Sequence, residues 1–163
     1  NKIDMPIRIR WTSKEYFGET LILLALCGMF QLFFIFIGQY VLAMGNHIIL
    51  ILIPIGVWVA IFFASLIIFE SYAQVERRRK LKSRFGKKIK KDSTLDKFLK
   101  FPLTKPLLIV FIVFNVFFFS TFFISTTFLH NSMAFLTAEI LSAITCLLIA
   151  NLIEKKYGRI QRY

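Results

Sequence analysis

Glu139 is the only ionisable side chain well inside a long apolar run of this 163-residue chain, and amides recur at comparable depth in other runs: Gln31, Gln39, Asn115 and Asn151. A carboxyl group in such a place has two roles open to it. It relays a proton or contacts a substrate hydroxyl, or it is protonated and bonds another helix, with Gln39 as the candidate partner and Thr137 and Ser142 close by in sequence. The amides join helices through hydrogen bonds worth about 1 kcal/mol each. If they converge between helices, they line a polar seam suited to a hydroxyl-rich headgroup.

Phosphate recognition needs cations, and Arg77, Arg78, Arg79, Lys97, Lys100 and Lys105 stand just outside the apolar runs. Together with Glu139, Asn115 and Gln31 they form the candidate set for binding an anionic lipid. His47 and His130 fall in two short polar connections, without a third ligand at metal-binding spacing, and read as turn residues. Cys27 and Cys146 lie inside apolar runs, where a thiol behaves as a small hydrophobe, so no disulfide, metal or redox role is expected. GxSxG, a Walker A loop, HExxH and a carboxylate dyad are all missing from the sequence. The chain is therefore expected to have no catalytic activity of its own and no cofactor.

The elements that must position these residues follow from composition. Apolar residues make up 57% and aromatics 17% of the chain, with 20 Phe, against 21 Lys and Arg and 9 Asp and Glu. A water-soluble domain of this size has no core large enough to hide so much apolar surface. Four runs, Thr20–Ala43, Ile48–Phe69, Leu107–Phe128 and Met133–Ile153, are long enough to cross roughly 30 Å of hydrocarbon, which takes about 20 helical residues.

Every Lys and Arg falls outside these runs: four before the first, thirteen between the second and third, four after the last. The two short connections, Met44–His47 and Leu129–Ser132, hold none. Four crossings put all three basic groups on one face, which the positive-inside rule assigns to the cytoplasm. The expected architecture is all-α: a polytopic membrane protein of four transmembrane helices as two hairpins, N-in and C-in. The net charge of +12 then serves orientation and anionic headgroups, and nucleic acid is not an expected partner.

Five segments follow: a basic cytoplasmic segment 1–19, a first hairpin 20–69, a basic connection 70–106, a second hairpin 107–153 and a cytoplasmic tail 154–163. The connection begins by continuing the second helix through Glu76–Lys80. Leu81, Phe85, Ile89, Leu95, Phe98 and Leu99 then recur at helical spacing, which suits helices lying in the headgroup layer, with a disordered basic linker as the alternative. Trp11, Tyr16, Phe17, Phe101 and Tyr157 mark an aromatic belt. Pro54 and Gly56 predict a kink near mid-membrane in the second span. The start of the chain without Met, with Met5 nearby, points to a processed or excised segment.

An offset of 84 residues brings Leu23-Leu24 onto Leu107-Leu108, Phe30-Gln31 onto Phe114-Asn115, Phe33-Phe34 onto Phe117-Phe118 and Glu70 onto Glu154. A repeat of this kind would be parallel, its halves related by an axis along the membrane normal.

Two resemblances rest on particular residues. Lys97-Phe98-Leu99-Lys100-Phe101, the intramembrane Asn115, Ala138-Glu139-Ile140 and Asn151-Leu152-Ile153 resemble the second half of a GtrA-like protein. That family comprises small four-span membrane proteins associated with polyprenyl-phosphate-linked sugars. The glycine pair that opens each GtrA-like repeat is replaced by Leu103-Thr104-Lys105-Pro106, and the closing Trp-x-Phe is missing after Asn151. The resemblance implies binding or translocation of a lipid-linked sugar, with transport as the activity class. Ile3–Arg10 followed by Phe17-Gly18-Glu19-Thr20 is similar to the end of some membrane-linked family 2 glycosyltransferase domains, which implies a glycosyltransferase as partner or ancestor.

The alternative function is structural. Phe33, Phe34, Phe117, Phe118, Phe119, Phe122 and Phe123 exceed what four short helices can bury among themselves, which leaves lipid or protein contact. The chain would then be an accessory subunit of a larger membrane complex, or a homo-oligomer, with membrane lipids as partners in either case.

Overall fold

A computed structural model describes residues 17–42, 45, 47–83 and 103–158. These form four helices: α1 Phe17–Phe36, α2 His47–Ser83, α3 Thr104–Ser125 and α4 Asn131–Gly158, with a π-helical turn, Ile37–Val41, closing α1. All four are long and apolar enough to cross a membrane. The fold is all-helical among the described residues, and the two hairpins are α1 with α2 and α3 with α4.

Helix boundaries move by a few residues from the hydropathy limits, for local reasons. α3 stops at Ser125, three residues short of Phe128. There the Thr126 and Thr127 hydroxyls donate to the carbonyls of Phe123 and Ile124 at 2.8 and 2.6 Å, offering the backbone an exit from the helix. Pro106 falls in the first turn of α3, where a missing N–H costs little. α2 runs on to Ser83, ten residues past the end of its apolar window at Ala73, carrying Arg77, Arg78 and Arg79 on a continuous helix.

Two local expectations are corrected. Pro54 sits in the second turn of α2, so the carbonyl that loses its N–H partner belongs to Leu50, near the end of the span and not at mid-membrane. His47 does not lie in a turn: it is the first residue of α2.

Contacts between helices fix their directions. Trp58 Nε1 donates to the Leu24 carbonyl at 3.1 Å and ties α1 to α2. Cys27 Sγ lies 3.7 Å from Ser65 Oγ while Gly38, farther along α1, faces Leu50 at the start of α2, so the two helices run antiparallel. The Cys146 thiol reaches the Val110 carbonyl at 3.7 Å, which ties α4 to α3. The start of α1, the end of α2, the start of α3 and the end of α4 therefore gather at one end, here the basic end. The two tight connections form the opposite, turn end.

α4 packs along both α2 and α3. Its buried column Ala134, Ala138, Ser142, Cys146 and Ala150 repeats every fourth residue and carries only small side chains. Inside lipid, where tails are as apolar as Leu, close backbone approach and dispersion hold helices together, and small residues permit that approach. α1 and α3 instead meet through rings: Phe30 stacks on Phe111 at 4.2 Å, and Phe34 stands edge-on to Phe114 at 5.1 Å and to Phe118 at 4.7 Å.

The π-helical turn aims Gly38 at the neighbouring helices. Leu42 N–H reaches back to the Ile37 carbonyl at 3.2 Å, one residue farther than an α-helix allows. A Cβ on Gly38 would come within 2.5 Å of Leu50 Cδ1 and 3.3 Å of the Phe135 ring, so glycine is what lets α1 close here.

Candidate functional site

Among the described residues, three side chains carry buried polar atoms that the helices do not satisfy: half-buried Glu19, through one carboxyl oxygen in the first turn of α1, and two that are wholly enclosed. Glu139 is 0% exposed and Gln31 is 2% exposed. Neither carboxyl oxygen of Glu139 and neither amide atom of Gln31 has a hydrogen-bond partner among the described residues. An unpaired buried polar group typically costs about 1–3 kcal/mol, and a charged carboxylate near the bilayer centre about 3 kcal/mol on insertion scales, more by other measures.

Helix register places the two at similar depth. The Phe135 ring touches the Phe118 ring at 5.6 Å and the position of a Gly38 side chain at 3.3 Å, so it marks a common level on α1, α3 and α4. Glu139 is one turn from Phe135 toward the basic end, and Gln31 is two turns from Gly38 in the same direction. At 1.5 Å per residue these steps are about 6 Å and 10 Å, which leaves the two side chains within about 5 Å of one another in depth. They stand on different walls of the bundle, α1 and α4. Pro54 and Val57 of α2 and Phe114 of α3 supply buried apolar neighbours at this level.

The surrounding hydroxyls do not serve Glu139. Ser142 Oγ donates to the Ala138 carbonyl, and Thr137 Oγ1 reaches the Met133 and Ala134 carbonyls at 3.0 Å each. Each spends its proton on its own helix backbone. Gln39, the expected partner of Glu139, is exposed on the π-helical turn and makes no bond to it.

The other amides are drawn elsewhere. Asn115 is half-buried, and its Nδ2 donates to the Phe111 carbonyl one turn back on α3 at 2.7 Å. Asn151 is exposed. The polar seam expected of four amides therefore reduces to Gln31 on α1 facing the level of Glu139 on α4, with Asn115 at its edge.

At the basic end, Lys105, Lys155 and Lys156 are exposed. Arg77, Arg78 and Arg79 lie on the extension of α2. Lys97 and Lys100, with the interfacial stripe from Phe85 to Leu99, fall outside the described residues, as do Trp11, Tyr16 and Phe101. Of the aromatic belt, Phe17 is exposed at the start of α1, and Tyr157 stacks obliquely on Tyr72 at 5.4 Å. At the turn end His130 is exposed, its Nδ1 3.5 Å from the Ser132 N–H. No group of three metal-ligating side chains exists among the described residues.

No protein-family model, no curated protein and no solved structure matches this chain. The site must be read from its own chemistry. A carboxyl and a carboxamide enclosed in the turn-end half of the bundle, with Lys105, Lys155 and Lys156 exposed at the basic end, can accept hydroxyl, water or proton inside and phosphate outside.

Sequence reasoning singled out Gln31 and Glu139 but missed Gly38, Leu50 and Phe135, which set their depth. A glycine followed by Gln and Tyr near a span end was the available signal, and hydropathy does not weigh it.

Proposed function

We propose that this chain is a non-enzymatic integral membrane protein that binds or translocates a polyprenyl-phosphate-linked sugar or a similar anionic lipid. The observation that carries the reading is the pair of fully buried, unpartnered polar side chains, Gln31 and Glu139, in an otherwise apolar four-helix interior. Groups left unpaired at this cost favour a guest that supplies their hydrogen bonds, and sugar hydroxyls do so. Exposed Lys105 and the basic extension Arg77–Arg79, joined in sequence by Lys97 and Lys100, supply cations for the phosphate. On the positive-inside rule the basic end faces the cytoplasm. The likeness of residues 97–101, 115, 138–140 and 151–153 to GtrA-like proteins agrees with this reading.

The test is binding of a polyisoprenyl phosphate to the purified protein in nanodiscs. Reversing the charge at Lys97, Lys100 and Lys105 together should weaken binding at least tenfold. Unchanged affinity would remove the phosphate-binding rim from the account.

A second reading has its own observation. Phe34 and Phe118 are buried, but Phe33, Phe117, Phe119 and Phe123 all point out of the bundle. Such faces suit a protein neighbour as well as lipid, and favour an accessory subunit of a larger complex. Purification in mild detergent separates the two readings: a stoichiometric larger partner, such as a glycosyltransferase, supports the subunit, and an isolated monomer or small homo-oligomer supports the carrier.

A further inference from the structure

We propose that Gln31 and Glu139 form an internal proton site, in which the Glu139 carboxyl takes up and releases a proton and water joins it to the Gln31 amide. This does not depend on the lipid reading. It follows from three observations about the same level of the bundle.

First, both side chains are fully enclosed and all four of their polar atoms lack a partner among the described residues. A carboxyl and an amide on different walls, at matched depth and without a direct bond, are complementary through water. The amide nitrogen donates, the amide oxygen accepts, and a carboxyl does both when protonated and only accepts when ionised. Second, among the described residues no opposite charge is buried beside it to hold an ionised carboxylate. The interior faces of the other helices at this level carry Phe34 of α1, Pro54 and Val57 of α2, and Phe114 and Phe118 of α3, none of them titratable. The titratable groups nearest in the interior are the thiols Cys27, one turn from Gln31, and Cys146, two turns from Glu139, and the first of these lies against Ser65. Glu139 is the only carboxyl among the fully buried polar side chains. Charge balance at this level therefore falls to a proton.

Third, the wall that carries Gln31 is the least firmly held. α1 packs on α2 and otherwise meets α3 through phenylalanine rings, whereas α4 packs along two helices. Loss of the proton leaves a carboxylate that demands water. The side on which water can be admitted with least loss of packing is the α1 side, so the charge state of Glu139 is coupled to how tightly α1 seats. The step balances as carboxylate plus one aqueous proton giving carboxylic acid, with no other reactant.

The experiment is infrared spectroscopy of the reconstituted wild-type protein, titrated from acid to alkaline pH, with and without carboxyl-13C-labelled Glu. The expected result is a protonated-carboxyl carbonyl band that shifts with the label, disappears on alkalinisation, vanishes in Glu139→Gln and moves in frequency in Gln31→Leu. The label needs no variant, so a misfolded mutant does not leave the question open. Absence of a labelled band at every pH would overturn the site. A band indifferent to Gln31→Leu would remove Gln31 from it, and a band abolished by sodium at constant pH would make it a sodium site instead. None of these outcomes bears on polyisoprenyl phosphate binding, which fails or stands separately.

Discussion

Phe34 of α1 and Phe118 of α3, 84 positions apart in the chain, meet ring to ring at 4.7 Å. Phe30 and Phe114, at the same offset, stand 5.5 Å apart, and Tyr72 and Tyr157, offset by 85, stand 5.4 Å apart. Equivalent positions of α1 and α3 thus face each other at equal depth. This is the arrangement that a parallel repeat about an axis along the membrane normal demands. The likeness stops at the functional level: Gln31 is buried and unpaired, whereas its counterpart Asn115 is half-buried and bonded to its own helix.

The aromatic seam makes the first prediction. Phe34→Ala removes a fully buried ring that touches Phe30, Phe114 and Phe118, and should destabilise the bundle by about 3–5 kcal/mol. Its neighbour Phe33 is 56% exposed, and Phe33→Ala should cost less than about 1 kcal/mol. Denaturant unfolding in mixed micelles measures both. Equal losses would mean that α1 does not present the face described.

Gly38 makes the second. A side chain there collides with Leu50 and crowds Phe135, so Gly38→Leu should overpack the turn end by about 1–3 kcal/mol. Adding Leu50→Ala should recover part of the loss, giving a coupling of at least about 0.5 kcal/mol in a double-mutant cycle. Strict additivity would separate the π-helical turn from α2.

Trp58 gives a smaller and more local effect. Trp58→Phe deletes the bond from Nε1 to the Leu24 carbonyl while keeping most of the ring, and should cost about 1 kcal/mol in thermal or denaturant unfolding. A neutral result would mean that the α1–α2 contact owes nothing to this bond.

Orientation is tested by labelling. In a chain whose Cys27 and Cys146 are replaced by Ala, Asn131→Cys at the turn end should react with a membrane-impermeant maleimide on intact cells. Lys155→Cys at the basic end should react only after permeabilisation. The reverse pattern would place the basic end outside.

Much of the fold was legible because lipid imposes a simple demand: long apolar runs must be helices, and charges must stay outside them. The four spans and their pairing into hairpins follow from that. What hydropathy does not weigh is where a helix spends its own hydroxyls and amides. Thr126 and Thr127 end α3 early, Ser142 and Thr137 bond backward rather than to Glu139, and Asn115 folds onto Phe111. Each of these bonds is local and is decided by rotamer, which spacing alone does not specify. Gln31 and Glu139 were visible as chemical anomalies. Their common depth was not, since it depends on Gly38 meeting Leu50 and Phe135 across three helices.

The most direct measurement compares the affinity of the nanodisc-embedded protein for a polyisoprenyl phosphate with and without an attached sugar, in wild type, Gln31→Leu and Lys105→Glu. The account predicts that wild type prefers the sugar-bearing lipid, that Gln31→Leu loses the preference while keeping phosphate affinity, and that Lys105→Glu weakens both lipids alike. Equal wild-type affinity for the two lipids, or a preference that survives Gln31→Leu, would contradict it.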